Sequence, residues 1–258
     1  MTITGDMIFE AYESRLRRRQ ASPCTMQGFR IAAAHFERSL DPATATALDI
    51  EEWLSGQGWA VSTQHTVFTW VRASYRYAVK RGLLDRDPTV MVELPRLPDP
   101  DPRCLTVAEI EDAVSGCRSE LDLLILDLFR YTGMRIVEMH RLTVNDIEGG
   151  QMHIHGKGGR WRWLPIHPEI RLTTTHPWVL PGRNGPMTTA AIRKRLGRFT
   201  DANPHSFRST VATYLGRADV PETVIQAILG HRPNTIYGRH YRVVSPDEML
   251  RALLQLPY

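Results

Sequence analysis

The sequence predicts a mainly α-helical, α+β protein of two domains. Three observations carry that prediction: apolar residues recurring at helical spacing along most of the chain, four prolines within positions 95–102, and one stretch near Gln151 where the period switches to alternation. With 258 residues, 42% of them hydrophobic, the chain can bury a sizeable core and divide it between two ordinary domains.

Residues 1–94 read as a helical domain, with helices at 8–19, 25–40, 50–54 and 62–81. In the last of these Val67, Trp70, Val71, Tyr75 and Ala78 recur at helical spacing, Ser62 is the N-cap candidate, and Gly82 supplies the stop. Pro95, Pro98, Pro100 and Pro102 can neither continue a helix nor join a sheet ladder, so 95–103 reads as an extended linker. The second domain, 104–258, opens on the capping-box pattern Thr106-Val-Ala-Glu109 and a helix at 121–131 that is apolar nearly all round.

Gln151-Met-His-Ile-His155 and Arg160-Trp-Arg-Trp-Leu-Pro-Ile166, joined by a Gly-Lys-Gly-Gly turn, alternate like the strands of an antiparallel hairpin. On two strands that alternation predicts Trp161 and Trp163 packed inward with Arg160 and Arg162 outward; stacking of the indoles on sugars or bases is the other reading. Helices resume at 189–199, 206–217, 221–229 and 246–254. The last follows the capping pattern Ser245-Pro-Asp-Glu248, and its Met249, Leu250, Leu253 and Leu254 predict a face that packs on protein.

Three cysteines, Cys24, Cys104 and Cys117, are an odd number without close pairs, which counts against a disulfide framework or a zinc site and fits a reducing compartment. No basic N-terminal patch leads into an apolar run, and nothing approaches the ~18 consecutive apolar residues of a membrane span. A soluble, cytoplasmic protein with no membrane partner is expected. The net charge of +4, the pI of about 9.1 and the preference for Arg are compatible with a nucleic-acid partner without being diagnostic of one.

Four segments of the second domain carry chemistry: Thr132-Gly-Met-Arg135-Ile-Val-Glu138, His155-Gly-Lys157-Gly-Gly-Arg160, His205-Ser-Phe-Arg208, and Leu229-Gly-His231 with Tyr241 ten residues on. Taken singly each has a bland reading: a solvated arginine opening a helix, a lysine in a plain hairpin turn, the polar start of a helix, a C-terminal histidine on a helix dipole. In this order and at these spacings they resemble the tyrosine recombinase (phage integrase) family. The resemblance covers about Leu105 to Tyr241. The helical first domain with its proline linker is similar to the family's core-binding domain, in a short form without an extra N-terminal domain for arm-type sites.

The resemblance implies two domains clamping DNA and a set of roles. Arg135 and Arg208 would hold the nonbridging oxygens of a phosphorane-like state, and Lys157 would protonate the leaving 5′-oxygen. His205 and His231 would donate to the scissile phosphate, His205 also taking the nucleophile's proton, while Glu138 either holds Arg135 or is merely solvated. Tyr241 is the expected nucleophile, forming a 3′-phosphotyrosyl bond; Tyr237, only six residues after His231, is the alternative, and the segment lacks the commoner Thr-x-x-Tyr ending.

DNA contacts are expected from Arg72, Arg76 and Lys80, at four-residue spacing on one helix, and from Arg160 and Arg162 in the hairpin. The run Arg15, Arg17, Arg18, Arg19 reads either as phosphate contacts or as a solvated face. His153 and His155 have the spacing of a metal pair, but nothing nearby completes a site, so no metal and no cofactor are expected. The partner implied is double-stranded DNA at core-type attachment sites, in a bacterial or phage-infected cell, with the protein a tetramer on paired sites and a monomer or weak oligomer when free. Two rivals stand beside this reading: a type IB topoisomerase-like enzyme, and a catalytically idle DNA-binding protein of the same fold.

Overall fold

The computed structural model describes residues 6–99, 102–156, 159–172, 176–231 and 244–258. The chain divides into two compact units, 1–100 and 101–258, each with its own apolar core, and the division falls among the prolines of 95–102.

The first unit holds helices α1 (Asp6–Arg18), α2 (Pro23–Glu37), α3 (Ala47–Gly56) and α4 (Val61–Lys80). Local signals set their ends. The Ser22 hydroxyl accepts from the Thr25 amide with Pro23 in the first turn, and Thr46 and Asp49 form a reciprocal capping box on α3. Helix α4 starts one residue before Ser62, after Ala60, and has no side-chain cap. Ser62 is therefore not the N-cap; one turn in, Gln64 donates from its side chain to the Trp59 carbonyl at 3.0 Å. Gly82, at φ +68°, takes the left-handed conformation that ends α4.

Val67, Phe68, Val71, Tyr75 and Ala78 of α4 are buried against Ile8, Phe9, Phe29 and Phe36 of the two preceding long helices. Full burial of each valine, isoleucine and phenylalanine side chain among them is worth roughly 1.5–3 kcal/mol. Edge-on ring contacts among Phe9, Phe36, Trp53 and Tyr75 fix the packing, and the Tyr75 hydroxyl is satisfied by the Pro42 carbonyl at 2.8 Å.

The second unit is built around α6 (Glu120–Thr132), whose residues Leu124 to Phe129 are all buried. Packed around it or beyond it are α5 (Val107–Gly116), α7 (Ile136–Arg141), α8 (Thr189–Leu196), α9 (Pro204–Arg217), α10 (Glu222–Leu229) and α11 (Pro246–Leu253). The expected capping boxes at Thr106 and Ser245 are both formed. Helix α9 begins two residues earlier than the sequence pattern indicates, because Asn203 accepts from the His205 and Ser206 amides and Pro204 occupies the first turn. Helix α11 lies on α10 and β3 of its own chain. Its buried stripe is Met249, Ala252, Leu253 and Leu256, the i, i+3, i+4, i+7 pattern, while Leu254, expected on that face, is exposed.

The hairpin belongs to a three-stranded antiparallel sheet ordered β1 (Ile147–Glu148), β2 (Gln151–His155), β3 (Trp161–Pro165); a two-residue ribbon, β4 (Pro181–Gly182) with β5 (Gly185–Pro186), lies apart from it. In the β2–β3 register Met152 faces Leu164, His153 faces Trp163, Ile154 faces Arg162, and His155 faces Trp161. Met152, Ile154 and Leu164 are fully buried, so Arg162 shares the inner face. The expectation is thus reversed for Trp161, Trp163 and Arg162, while Arg160 is exposed as expected. Trp161 and Trp163 are 53% and 41% exposed, and the rings of His155, Trp161, His153 and Trp163 form a continuous stack at 4.4–4.5 Å between centroids.

Candidate active site

Arg135 is delivered by a sharp helix–turn–helix. Helix α6 ends at Gly133, whose φ of +58° is left-handed and where a Cβ would sit 2.7 Å from Leu229 Cδ2; both facts favour glycine. The Met134 amide then donates to Thr132 Oγ1 at 3.1 Å, and Arg135 stands at the N-cap of α7. Glu138, one turn on, accepts from the Arg135 amide at 3.0 Å and from its Nη1 at 2.9 Å. This carboxylate is 3% exposed and also accepts from Arg162, Nη2 at 2.9 Å and Nη1 at 3.2 Å. Burial opposes its ionisation, but the hydrogen bonds and charge of Arg162, followed by those of Arg135, outweigh it and hold the carboxyl below its ordinary value.

Arg208 emerges from the second turn of α9 and is 5% exposed. Its guanidinium donates to two carbonyls, Gly133 at 2.8 Å and Leu229, which places it between the ends of α6 and α10. No carboxylate hydrogen-bonds it among the described residues. Burial first, and then the charge of Arg135, push it down to about 10. At the end of α10, Gly230 (φ +64°) turns the chain, and the His231 amide closes the cap on the Gln226 carbonyl at 2.9 Å. His231 is exposed at the rim, yet desolvation of its ring and the charges of Arg208, Arg135, Arg162 and His205 lower its pKa from 6.5. His205, in the first turn of α9, is exposed beside it. A cleft of about 770 Å³ opens alongside, lined by Gly156, Arg162, Gly230, His231 and Met249.

The structure therefore brings Arg135, Arg208 and His205 near enough to His231 for their charges to act on its ring, and His231 stands at the edge of the cleft. Lys157, Tyr241 and Tyr237 lie outside the described residues. Arg160 is exposed at the foot of the hairpin turn. Arg162, expected on DNA, is instead turned inward: besides Glu138 it donates from Nε to the Ile228 carbonyl at 3.1 Å, because a buried carboxylate and two glycines receive it. The sequence identified Glu138 as a possible partner of Arg135 but missed Arg162. The one signal for it was its parity with Leu164.

In the first unit, Arg76 and Lys80 are exposed on α4, and Arg72 Nε is buried with no hydrogen-bond partner among the described residues. Much of the Arg15–Arg19 run is used internally: Arg15 lies over the Tyr77 ring at 4.9 Å, Arg17 pairs with Glu13, and Arg18 donates to the Tyr77 hydroxyl. His153 and His155 are stacked on indoles, and the described residues contain no cluster of three or more metal-ligating side chains. No helix among them is long and apolar enough to cross a membrane.

The family model described as "Phage integrase family" matches residues 103–248, more than half of the chain. The chain belongs to the phage integrase family. Among curated proteins this integrase is 26% identical over 214 residues to the tyrosine recombinase XerD of Pseudomonas aeruginosa, spanning 71% of the chain and 72% of the relative. It is 28% identical over 231 residues to the tyrosine recombinase XerC of Mycobacterium tuberculosis, spanning 75% and 76%. Among solved structures its fold matches a lambda integrase dimer bound to a COC′ core site (TM-score 0.75, 16% identity, covering 94% of this chain and 80% of that one). It also matches the Tn1549 transposon integrase, residues 82–397, in complex with circular intermediate DNA (TM-score 0.68, 19% identity, covering 98% and 99%). The integrase is thus a site-specific DNA recombinase, an enzyme that cleaves and rejoins DNA strands.

Proposed function

We propose that Arg135 and Arg208 together receive the scissile phosphodiester of duplex DNA and that Tyr241 attacks it. The phenolate oxygen bonds to phosphorus, the bond to the 5′-oxygen breaks, and Lys157 supplies the proton that oxygen takes up. The 3′-phosphotyrosyl link keeps the bond energy until a partner strand's 5′-hydroxyl attacks and releases the tyrosine. The observation that carries this reading is Arg208: a buried guanidinium held, among the described residues, by two carbonyls, with a second guanidinium beside it. Such a pair is a preorganised receptor for the extra negative charge of a phosphorane, and the two forks can grip different oxygens. His205 and His231, both exposed, would hydrogen-bond the same group.

The protein acts on double-stranded DNA as a tetramer on paired core-type sites, in the bacterial cytoplasm where such DNA lies. The lambda integrase tetramer bound to a Holliday junction, with the same fold at TM-score 0.72, supports that assembly. A topoisomerase-like monomer would relax DNA without a second site, and an idle protein would bind without cutting. A suicide substrate nicked beside the crossover separates both enzymes from the idle protein, and relaxation of a supercoiled plasmid that lacks a core-type site would mark the topoisomerase. Wild-type protein and Tyr237→Phe should trap on the 3′-phosphate, and Tyr241→Phe should bind without trapping. Peptide mapping that finds DNA on Tyr237 would move the nucleophile, and no trapping by wild type under binding conditions would leave the idle reading.

A further inference from the structure

We infer that Arg162 is a positioning residue of this site, joining the β-hairpin to the phosphate clamp through Glu138; the inference rests on the function proposed for Arg135. Its guanidinium spends its donors on protein. Two nitrogens meet both oxygens of Glu138, at 2.9 and 3.2 Å, and Nε meets the Ile228 carbonyl at 3.1 Å. Glu138 in turn fixes both the backbone amide and the Nη1 of Arg135. A carboxylate of 3% exposure between two guanidiniums leaves Arg135 few alternative positions.

The second end of the link is α10. Ile228 lies in its last turn, just before the carbonyl of Leu229 that holds Arg208 and the glycine that orients His231. Around Arg162 the backbone is cut away to fit: a Cβ on Gly230 would lie 2.7 Å from Arg162 Nη1, and one on Gly156 would lie 3.4 Å from Glu138 Oε1. Arg162 is also on β3, five residues after Lys157. Seating of the hairpin and alignment of Arg135 are thereby one event. A hairpin lifted from the sheet's inner side would take Arg162 from Glu138 and free the clamp before any acid could be delivered.

The test uses the full-length protein, with Arg162→Gln, Glu138→Gln, the double variant and the milder Arg162→Lys, which keeps the charge but loses the fork. Single-turnover cleavage of the suicide substrate should fall ~10- to 100-fold in Arg162→Gln and in Glu138→Gln, with site affinity within about threefold of wild type, and the double variant should be no worse than the worse single one, as coupled residues behave. Arg162→Lys should fall between. Parallel loss of affinity and cleavage would make Arg162 a DNA contact, additive losses would make it an independent structural residue, and wild-type cleavage would remove it from the site; each overturns the inference. Nitrogen-15 spectra of the arginine side chains give a readout independent of DNA chemistry. Slow guanidinium rotation of Arg135 in wild type should become fast in Arg162→Gln and Arg162→Lys. Unchanged rotation overturns the link even if wild type forms no covalent complex, a result that by itself would count against the proposed function and not against Arg162.

Discussion

Two arginines of this site differ in what balances them. Arg135 has Glu138, whereas the hydrogen-bond partners of Arg208 among the described residues are the carbonyls of Gly133 and Leu229. Lysine in place of either keeps the charge but cannot fork, so cleavage should fall by ~100-fold or more, by analogy with the loss of one oxyanion donor. Single-turnover rates at saturating protein check this; near-normal rates in both variants would remove them from the clamp. His231 gives a pH prediction. Its pKa in the folded protein is depressed below 6.5, so between that lowered value and 6.5 the unfolded chain binds more protons than the folded one. Stability should rise with pH through this window, reach its full value above 6.5, and drop as pH falls through it. Replacing His231 with Gln should flatten that part of the denaturation profile, and the imidazole should titrate by NMR below 6.5 in the native protein. A midpoint at or above 6.5 would contradict the cationic surroundings described.

At the scale of elements, the β2–β3 hairpin is held from both sides. Inside are Met152, Ile154, Leu164 and the Arg162 link; outside is the stack of His155, Trp161, His153 and Trp163. Cross-strand aromatic pairs contribute about 0.5–1.5 kcal/mol beyond their burial, enough to stiffen a two-stranded arm without governing the stability of the whole unit. Trp161→Ala should therefore speed amide exchange across 151–165 and slow cleavage, with little change in the melting of the second unit. If exchange is unaltered and cleavage is normal, the stack is not what steadies the arm. The element scale is also where the sequence was least informative about the sheet. Alternation fixes which residues share a face and says nothing about which face is the core. Tryptophan is the more apolar choice, but Glu138, distant in sequence, supplies the buried charge that draws Arg162 in.

The whole molecule has two separate cores, the aromatic cluster around Phe36 and Tyr75 and the cluster around α6. Residues 102–258 expressed alone should consequently fold with a single cooperative transition in calorimetry and keep the chemical shifts of the α6 core. A fragment lacking a transition would show that the second unit needs the first. Local grammar made most of the helices readable: the capping boxes at Thr106 and Ser245, the stop at Gly82 and the prolines of the linker act within a few residues. Ser62 shows the limit, since a good capping residue was passed over when α4 began one residue earlier. The site was legible as four motifs in order. Their convergence was not, because it depends on Gly133 and Gly230 letting the ends of α6 and α10 close on the first turns of α9, a tertiary fact that no local spacing records.

Arg208 has a consequence for the protein before it meets any DNA. Burying that cation with no hydrogen-bonded carboxylate among the described residues, Glu138 acting on it only at a distance, leaves an electrostatic load that an anion of suitable shape would relieve. Anything bound by the folded chain alone raises its melting temperature by mass action, by about 2.7 kcal/mol of stability when its concentration reaches a hundred times its Kd. Inorganic phosphate should accordingly protect the free enzyme against heat well beyond chloride at equal ionic strength. That difference should shrink in Arg135→Gln, where one wall of the receptor is gone. Equal protection by the two salts would mean that the load has found relief elsewhere in the fold. The heat stability of the free enzyme in different salts would then report on the site without a single strand being cut.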